Sequence, residues 1–181
     1  MSNLIISENY LKENSIINGN TDMKIITPTI QLCQDKYVKP ILGTDLYDAI
    51  LSQIGSSTVS TENQTLLDSY ILPAMLWYVL CECTPVFKYR YANKGIMINS
   101  SESSSSADLN EIQWLMDKWR NNAEWYAQQA TKFLREESDS TTYPLYLEND
   151  ECYKIKPNKN NFTSGLYLGE WEQQARKILN Y

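Results

Sequence analysis

The chain has 181 residues, 43% of them apolar, enough for one hydrophobic core of ordinary size. Sixteen basic against 22 acidic residues leave a formal charge of −6, which argues against a general nucleic-acid binder held by a basic footprint. Histidine is absent, and with it go Ser-His-Asp and Cys-His catalysis, His-ligated metal centres and imidazole switching.

The N-terminal stretch MSNLIISENYLKEN has only three consecutive apolar residues, Leu4 to Ile6, and no preceding basic cluster. It therefore predicts neither a signal peptide nor an anchor, and a chain that stays inside a cell. Cys33, Cys81, Cys83 and Cys152 are then expected to remain reduced. On a helix, Cys81 and Cys83 point about 200° apart, so they read as buried small apolar residues and not as a metal-binding pair.

In chain order, Ile26, Ile30, Cys33 and Tyr37 recur at helical spacing, with Asp22 as a possible cap and Pro28 as an alternative start. Pro40 and Gly43 break the pattern. Thr44 opens a second amphipathic helix through Leu46, Tyr47, Ile50, Leu51 and Ile54, ending at Gly55. Thr61 with Gln64 reads as a capping box opening a helix that runs through Cys81, with a kink at Pro73. Its Tyr70–Cys83 run is apolar nearly all round, as in a buried helix, and is too short and interrupted to span a bilayer.

After Thr84-Pro85 the texture alternates, and residues 86–99 read as a β-hairpin or extended arm. The Ser-rich tract 100–106 reads as a mobile linker. Asp108 with Glu111 opens the longest helix, to about Glu137, with apolar or small residues at Ile112, Leu115, Met116, Trp119, Ala123, Tyr126, Ala127, Ala130, Phe133 and Leu134. Residues 148–181 form an arm whose end is helical, with Trp171, Ala175, Ile178 and Leu179 sharing a face. The expected fold is mainly α: a helical domain over 1–147 with a long helix and one hairpin, then a C-terminal arm ending in a short helix.

Chemistry without histidine would use paired carboxylates, and Glu82, Glu124, Glu136 and Glu137 fall on predicted helices. No spacing sets two of them across a substrate, so no catalytic residue is assigned. The acidic group Glu148, Asn149, Asp150 and Glu151 lacks the ligand alternation, central Gly and closing Glu of a calcium loop. No metal or cofactor is expected. Trp114 and Trp125 lie off the apolar stripe of the long helix, either as peripheral core or as interface anchors. Tyr89, Tyr91, Tyr143, Tyr146, Tyr153 and Tyr167 fall in predicted hairpin, loop or arm, where large amphipathic side chains need a surface to cover. With Phe87, Met97 and Trp171 they are taken as interface candidates.

The order IQLCQDKYVKPILGTDLYDAILSQI, TLLDSYILPAMLWYVL, hairpin, Ser-rich tract and a long helix closing on KFLREES…YPLY resembles phage head–tail connector (adaptor) proteins. The resemblance is to the connector-like set of Bacteroides and crAss-like phages, and it covers roughly residues 4–147. It implies a non-enzymatic virion protein, made in the host cytoplasm. Such a subunit forms a ring, typically twelvefold, under the portal protein at the particle neck, continuing the DNA channel and offering a surface to tail proteins, with no membrane contact. It also implies that the Phe87–Met97 hairpin and the C-terminal arm touch portal or neighbouring subunits, with Lys88, Tyr89, Arg90 and Tyr91 foremost. The rival readings are a small helical binding or regulatory protein and a carboxylate-based hydrolase.

Overall fold

The computed structural model describes residues 3–17, 21, 23–92, 95–98, 108–139, 141–147 and 154–158, and the fold is mainly helical. The helices are α1 (Glu8–Asn14), α2 (Met23–Cys33), α3 (Lys39–Leu42), α4 (Thr44–Ser56), α5 (Thr61–Leu66), α6 (Leu72–Lys88), α7 (Leu109–Glu137) and α8 (Pro144–Leu147). Between α6 and α7 stand two short antiparallel strands, β1 (Tyr89–Ala92) and β2 (Gly95–Ile98), with Tyr89 opposite Ile98 and Ala92 opposite Gly95.

Two π-helical turns make single rods of what would otherwise be broken helices. Gln34–Val38 joins α2 to α3, and Leu67–Ile71 joins α5 to α6. In each, one N–H donates five residues back, Lys39 to the Gln34 carbonyl and Leu72 to the Leu67 carbonyl, and a proline follows at once, Pro40 or Pro73. Proline has no N–H and its ring collides with the carbonyl four residues back. The wider turn opens the ladder where the ring must fit, and where a kink was expected at Pro73 the structure has this π-turn within one continuous helix.

Several sequence-based boundaries shift. Pro28 lies inside α2, which starts at Met23; the Thr27 hydroxyl donates to the Met23 carbonyl at 2.8 Å. Asp22 lies outside the described residues. The α5 cap is Ser60, whose hydroxyl accepts the Asn63 N–H, one residue before the predicted Thr61. Val86, Phe87 and Lys88 belong to α6 and not to the hairpin. Pro85 removes only its own bond to the ladder, the Thr84 hydroxyl donates to the Leu80 carbonyl at 2.8 Å, and Tyr89 N–H still reaches the Pro85 carbonyl. Val86 and Phe87 of this last turn are 41% and 38% exposed, and Phe87 stands with Trp119 at the wall of one groove. The rod Thr61–Lys88 is therefore 28 residues and, by length and composition, long and apolar enough to cross a membrane, contrary to the shorter reading; half of its apolar window is buried in the protein.

That rod is the axis of the core. On it pack α2 through Ile26, Ile30 and Cys33, and the antiparallel α7 through Trp119, Ala123, Ala130 and Leu134. Each fully buried Leu or Ile adds roughly 1.5–3 kcal/mol. Cys81 and Cys83 are both buried and reduced. Cys81 Sγ faces the Met116 carbonyl of α7 at 3.5 Å, whereas Cys83 bonds Thr29 of α2, the divergence that their spacing predicts. Glu111 accepts the Asp108 N–H at 3.0 Å, as expected for the start of α7.

The N-terminal segment is held along α4, and residues 154–158 grip the elbow between α3 and α4. From the N-terminal side, Ile5, Ile6 and Leu11 are buried, and the Asn3 amide donates to the Leu51 carbonyl at 2.9 Å, passing so close to Gly55 that a side chain there would collide with it. From the other side, Thr44 and Ile155 exchange two bonds of 3.0 and 2.9 Å, Asn158 N–H donates to the Pro40 carbonyl, and Lys154 pairs with Asp45 at 2.8 Å.

Candidate functional site

The outward face of α7 is the strongest candidate. On a helix of 100° per residue, the buried positions Trp119, Ala123, Ala130 and Leu134 fall within about 60° of one another. Trp114 and Trp125 lie eleven residues apart, three turns and about 20°, so they form a single line about 16 Å long, nearly opposite the core. Their exposures are 65% and 56%, against 9% for Trp119. Among the described residues neither indole is covered; the hairpin side chains beyond Tyr89 and most of the C-terminal arm, under which the peripheral-core reading would place them, lie outside the described residues. Lys118 lies over the Trp114 ring, its Nζ 5.4 Å from the centroid. Lys132 continues the line, with Glu136 at 3.9 Å.

A second apolar feature lies where α6 ends. Ile16, Ile17, Thr21, Leu80, Cys83, Thr84, Phe87 and Trp119 line a groove of about 210 Å³. Phe87 is therefore placed at a groove wall in the last turn of a helix, and Lys88 extends beside Tyr89, 5.9 Å from its ring centroid. Arg90 and Tyr91 lie on β1, paired with Met97 and Ile96 on β2, which fixes their backbone register.

Two interface candidates are corrected. Tyr143 and Tyr146 are 2% and 1% exposed and belong to the core. The Asp139 carboxylate accepts the N–H groups of Thr141 and Thr142 at 2.7 and 2.6 Å, a tight turn that sends the chain back over the bundle. There the Tyr143 hydroxyl donates to the Glu62 carbonyl at 2.8 Å, and its ring meets Phe133 edge-on. Burial pushes the Tyr143 hydroxyl up to about 12. Tyr153, Tyr167 and Trp171 lie outside the described residues, as do the Ser-rich tract and the terminal helix.

Sequence reasoning missed a polar cluster where the first π-turn meets α6. One oxygen of Glu82 accepts from both Lys36 Nζ, at 2.8 Å, and the Tyr37 hydroxyl, at 2.5 Å. Tyr37 stacks on Tyr78 with centroids 3.9 Å apart and planes 4° apart. Burial pushes the Glu82 carboxyl up, but the bonds from Lys36 and Tyr37 outweigh it and hold the group below its ordinary value. That is the wrong direction for a general acid at neutral pH, so the arrangement fixes the π-turn to α6 and offers no proton. Glu82 stands 45 and 46 positions from its two donors, a pairing that no local pattern announces. Among the described residues no three metal-ligating side chains of His, Cys, Asp or Glu come together.

No curated protein and no solved structure matches this sequence. A family of unknown function, DUF6712, matches residues 38–155, about two-thirds of the chain. The match opens at the end of the first π-turn and closes at Ile155, whose backbone is bonded to Thr44, so its two limits meet at the elbow. The match takes in the elbow, the α5–α6 rod, the hairpin and all of α7, and the chain belongs to this family, DUF6712.

Proposed function

We propose that this chain is a structural virion subunit, a head–tail connector that assembles as a ring beneath a phage portal and continues the DNA channel toward the tail. The single observation that carries this reading is the exposed tryptophan line on α7, which suits attachment to another protein surface and not chemistry. A helical core clasped at both ends supplies a rigid body on which such a surface holds its shape. The charge of −6 disfavours adhesion to DNA passing through a channel. In this reading Phe87, Lys88, Tyr89, Arg90, Tyr91 and Met97, at the end of α6 and on the hairpin, face portal or neighbouring subunits.

The test is imaging of the purified full chain with and without a phage portal ring. A collar of added density below the portal is expected, and mass spectrometry of purified particles should find the chain in stoichiometric amount. A chain that never joins a portal and is absent from particles contradicts the proposal and returns the monomeric binding protein as the better reading.

A further inference from the structure

We propose that residues 154–158 are a splint across the elbow between α3 and α4, and that lifting it frees Gly43 to act as a hinge. The device is intrinsic to one chain and does not depend on the connector reading.

A helix running straight through Gly43 would bond the Thr44 N–H to the Pro40 carbonyl, four residues back. Gly43, at φ 77° and ψ 164°, turns the chain away and parts that pair. Residues 154–158 take up both halves. The Ile155 carbonyl accepts the Thr44 N–H at 3.0 Å, and the Asn158 N–H donates to the Pro40 carbonyl at 2.7 Å. The Ile155 N–H also donates to the Thr44 hydroxyl at 2.9 Å, and Lys154 Nζ stands 2.8 Å from Asp45, with side chains only 23% and 18% exposed. These attachments fall on both sides of Gly43, one on α3 and the others at the start of α4. Gly43 brings no capping side chain to α4, and the acceptor for the first N–H of that helix comes from 111 residues away.

The same bonds make the splint releasable. It has no helix or strand of its own, and of its five residues only Pro157 is buried. Three hydrogen bonds, one ion pair and one proline ring are a small hold beside the face that α7 buries on α6, so the splint opens before the core does. Once it lifts, the Thr44 donor and the Pro40 acceptor lose their partners, and a swing toward a straight helix restores the bond between them. Glycine adopts helical angles without steric cost. The buried Leu46, Tyr47 and Ile50 pull α4 back, so the hinged form is a minor state of the free chain.

Amide exchange and spin-label distances on the full chain test this. Lys154→Glu and Asn158→Pro each remove one attachment, on opposite sides of Gly43. In either variant, exchange at Thr44 and Ile155 should quicken at least tenfold while α6 and α7 keep wild-type protection. Lys154→Glu combined with Asp45→Lys should return both rates toward wild type. In a Cys152→Ser background, nitroxides at Leu32→Cys on α2 and Ser52→Cys on α4, both exposed positions, should report one narrow distance. Adding Asn158→Pro should bring in a second, longer one. Wild type alone gives an independent reading: in urea below the unfolding transition, Thr44, Ile155 and Asn158 should open together and before α7. Free exchange at Ile155 with unchanged protection at Thr44 and an unchanged distance overturns the inference, because the elbow then holds itself. So does exchange at Ile155 and Asn158 that occurs only together with α6, because those residues are then part of the core.

Discussion

Gln34 Oε1 accepts the backbone N–H of Ile5 at 2.6 Å, across 29 residues of sequence, in a site from which solvent is excluded. The same amide turns its nitrogen toward the Asn3 carbonyl and the Tyr47 hydroxyl, at 3.4 and 3.5 Å, and Tyr47 in turn donates to Asp35 at 3.0 Å. Burial pushes the Tyr47 hydroxyl up to about 12, so it remains a donor over the whole physiological range. One polar side chain in the first π-turn therefore ties the N-terminal segment to α4. Gln34→Leu keeps the volume and strands the Ile5 N–H, at a cost of about 1–3 kcal/mol. For a chain of this length the melting temperature should fall about 2–4 °C per kcal/mol. Amide exchange at Ile5 and Ile6 should quicken more than exchange in α7. Unchanged protection at Ile5 would show that the segment is held by its apolar contacts alone.

The Glu82 cluster predicts a pH dependence with a definite sign. Its folded-state pKa lies below the ordinary carboxylate value, because the bonds from Lys36 and Tyr37 overcome the cost of burial. The stability it contributes is therefore present above the unfolded pKa of about 4.3 and is lost as pH falls through the folded value. Lys36, raised chiefly by its bond to Glu82, contributes in the opposite sense, losing its share only on the alkaline side. Glu82→Gln should be less stable than wild type at pH 7, with a gap that closes between pH 5 and pH 2 in urea denaturation. An equal gap at both ends of that window would mean that the carboxylate carries no net ionic stabilisation.

Aromatic residues that look alike in the sequence should separate cleanly by stability. Trp119→Ala and Tyr143→Ala each empty a buried site, at a cost of about 3–5 kcal/mol. Trp114→Ala and Trp125→Ala remove exposed rings and should stay within about 0.5 kcal/mol of wild type. Equilibrium denaturation of the four variants measures this directly. A large loss at Trp114 or Trp125 would place those indoles in a packed environment and remove the outward surface altogether.

The contrast marks where local pattern carries information and where it does not. α7 was legible because its apolar residues repeat at 3.6 and its start is signalled by Asp108 and Glu111, three apart. The divergence of Cys81 and Cys83 was legible for the same reason, being set by helix geometry alone. Tyr143 was misplaced because its burial depends on the Asp139 turn and on Glu62, 81 residues away. The end of α6 differs from the reading because Pro85 is a local stop signal, yet the bonds from Thr84 to Leu80 and from Tyr89 to Pro85 carry the helix on to Lys88. The elbow showed its break at Pro40 and Gly43, but not that Thr44 would be bound to Ile155, 111 residues on. Of the candidate surface, the aromatic identity was readable and the exposure was not, since spacing alone puts Trp114 and Trp125 on one line without saying what lies over it.

Two positive φ angles frame α4, and substitutions there should act with opposite signs. Gly43, at φ 77° and ψ 164°, turns the chain from α3 into α4 in a region that is essentially closed to any residue with a Cβ. Gly43→Ala should cost about 1–3 kcal/mol and loosen the elbow that residues 154–158 grip. Ser57, at φ 55° and ψ 34°, closes the same helix in the left-handed conformation while its N–H bonds to the Ile54 carbonyl at 3.1 Å. That conformation costs a side-chain-bearing residue roughly 1–2 kcal/mol, and glycine returns roughly 0.5–1 kcal/mol of it through the greater freedom of its unfolded state. Ser57→Gly should therefore raise stability by about 0.5–1 kcal/mol. Urea midpoints of the two variants, measured beside wild type at unchanged m-value, should move apart in opposite directions. A Gly43→Ala protein as stable as wild type would mean that the elbow can be reached through ordinary backbone angles.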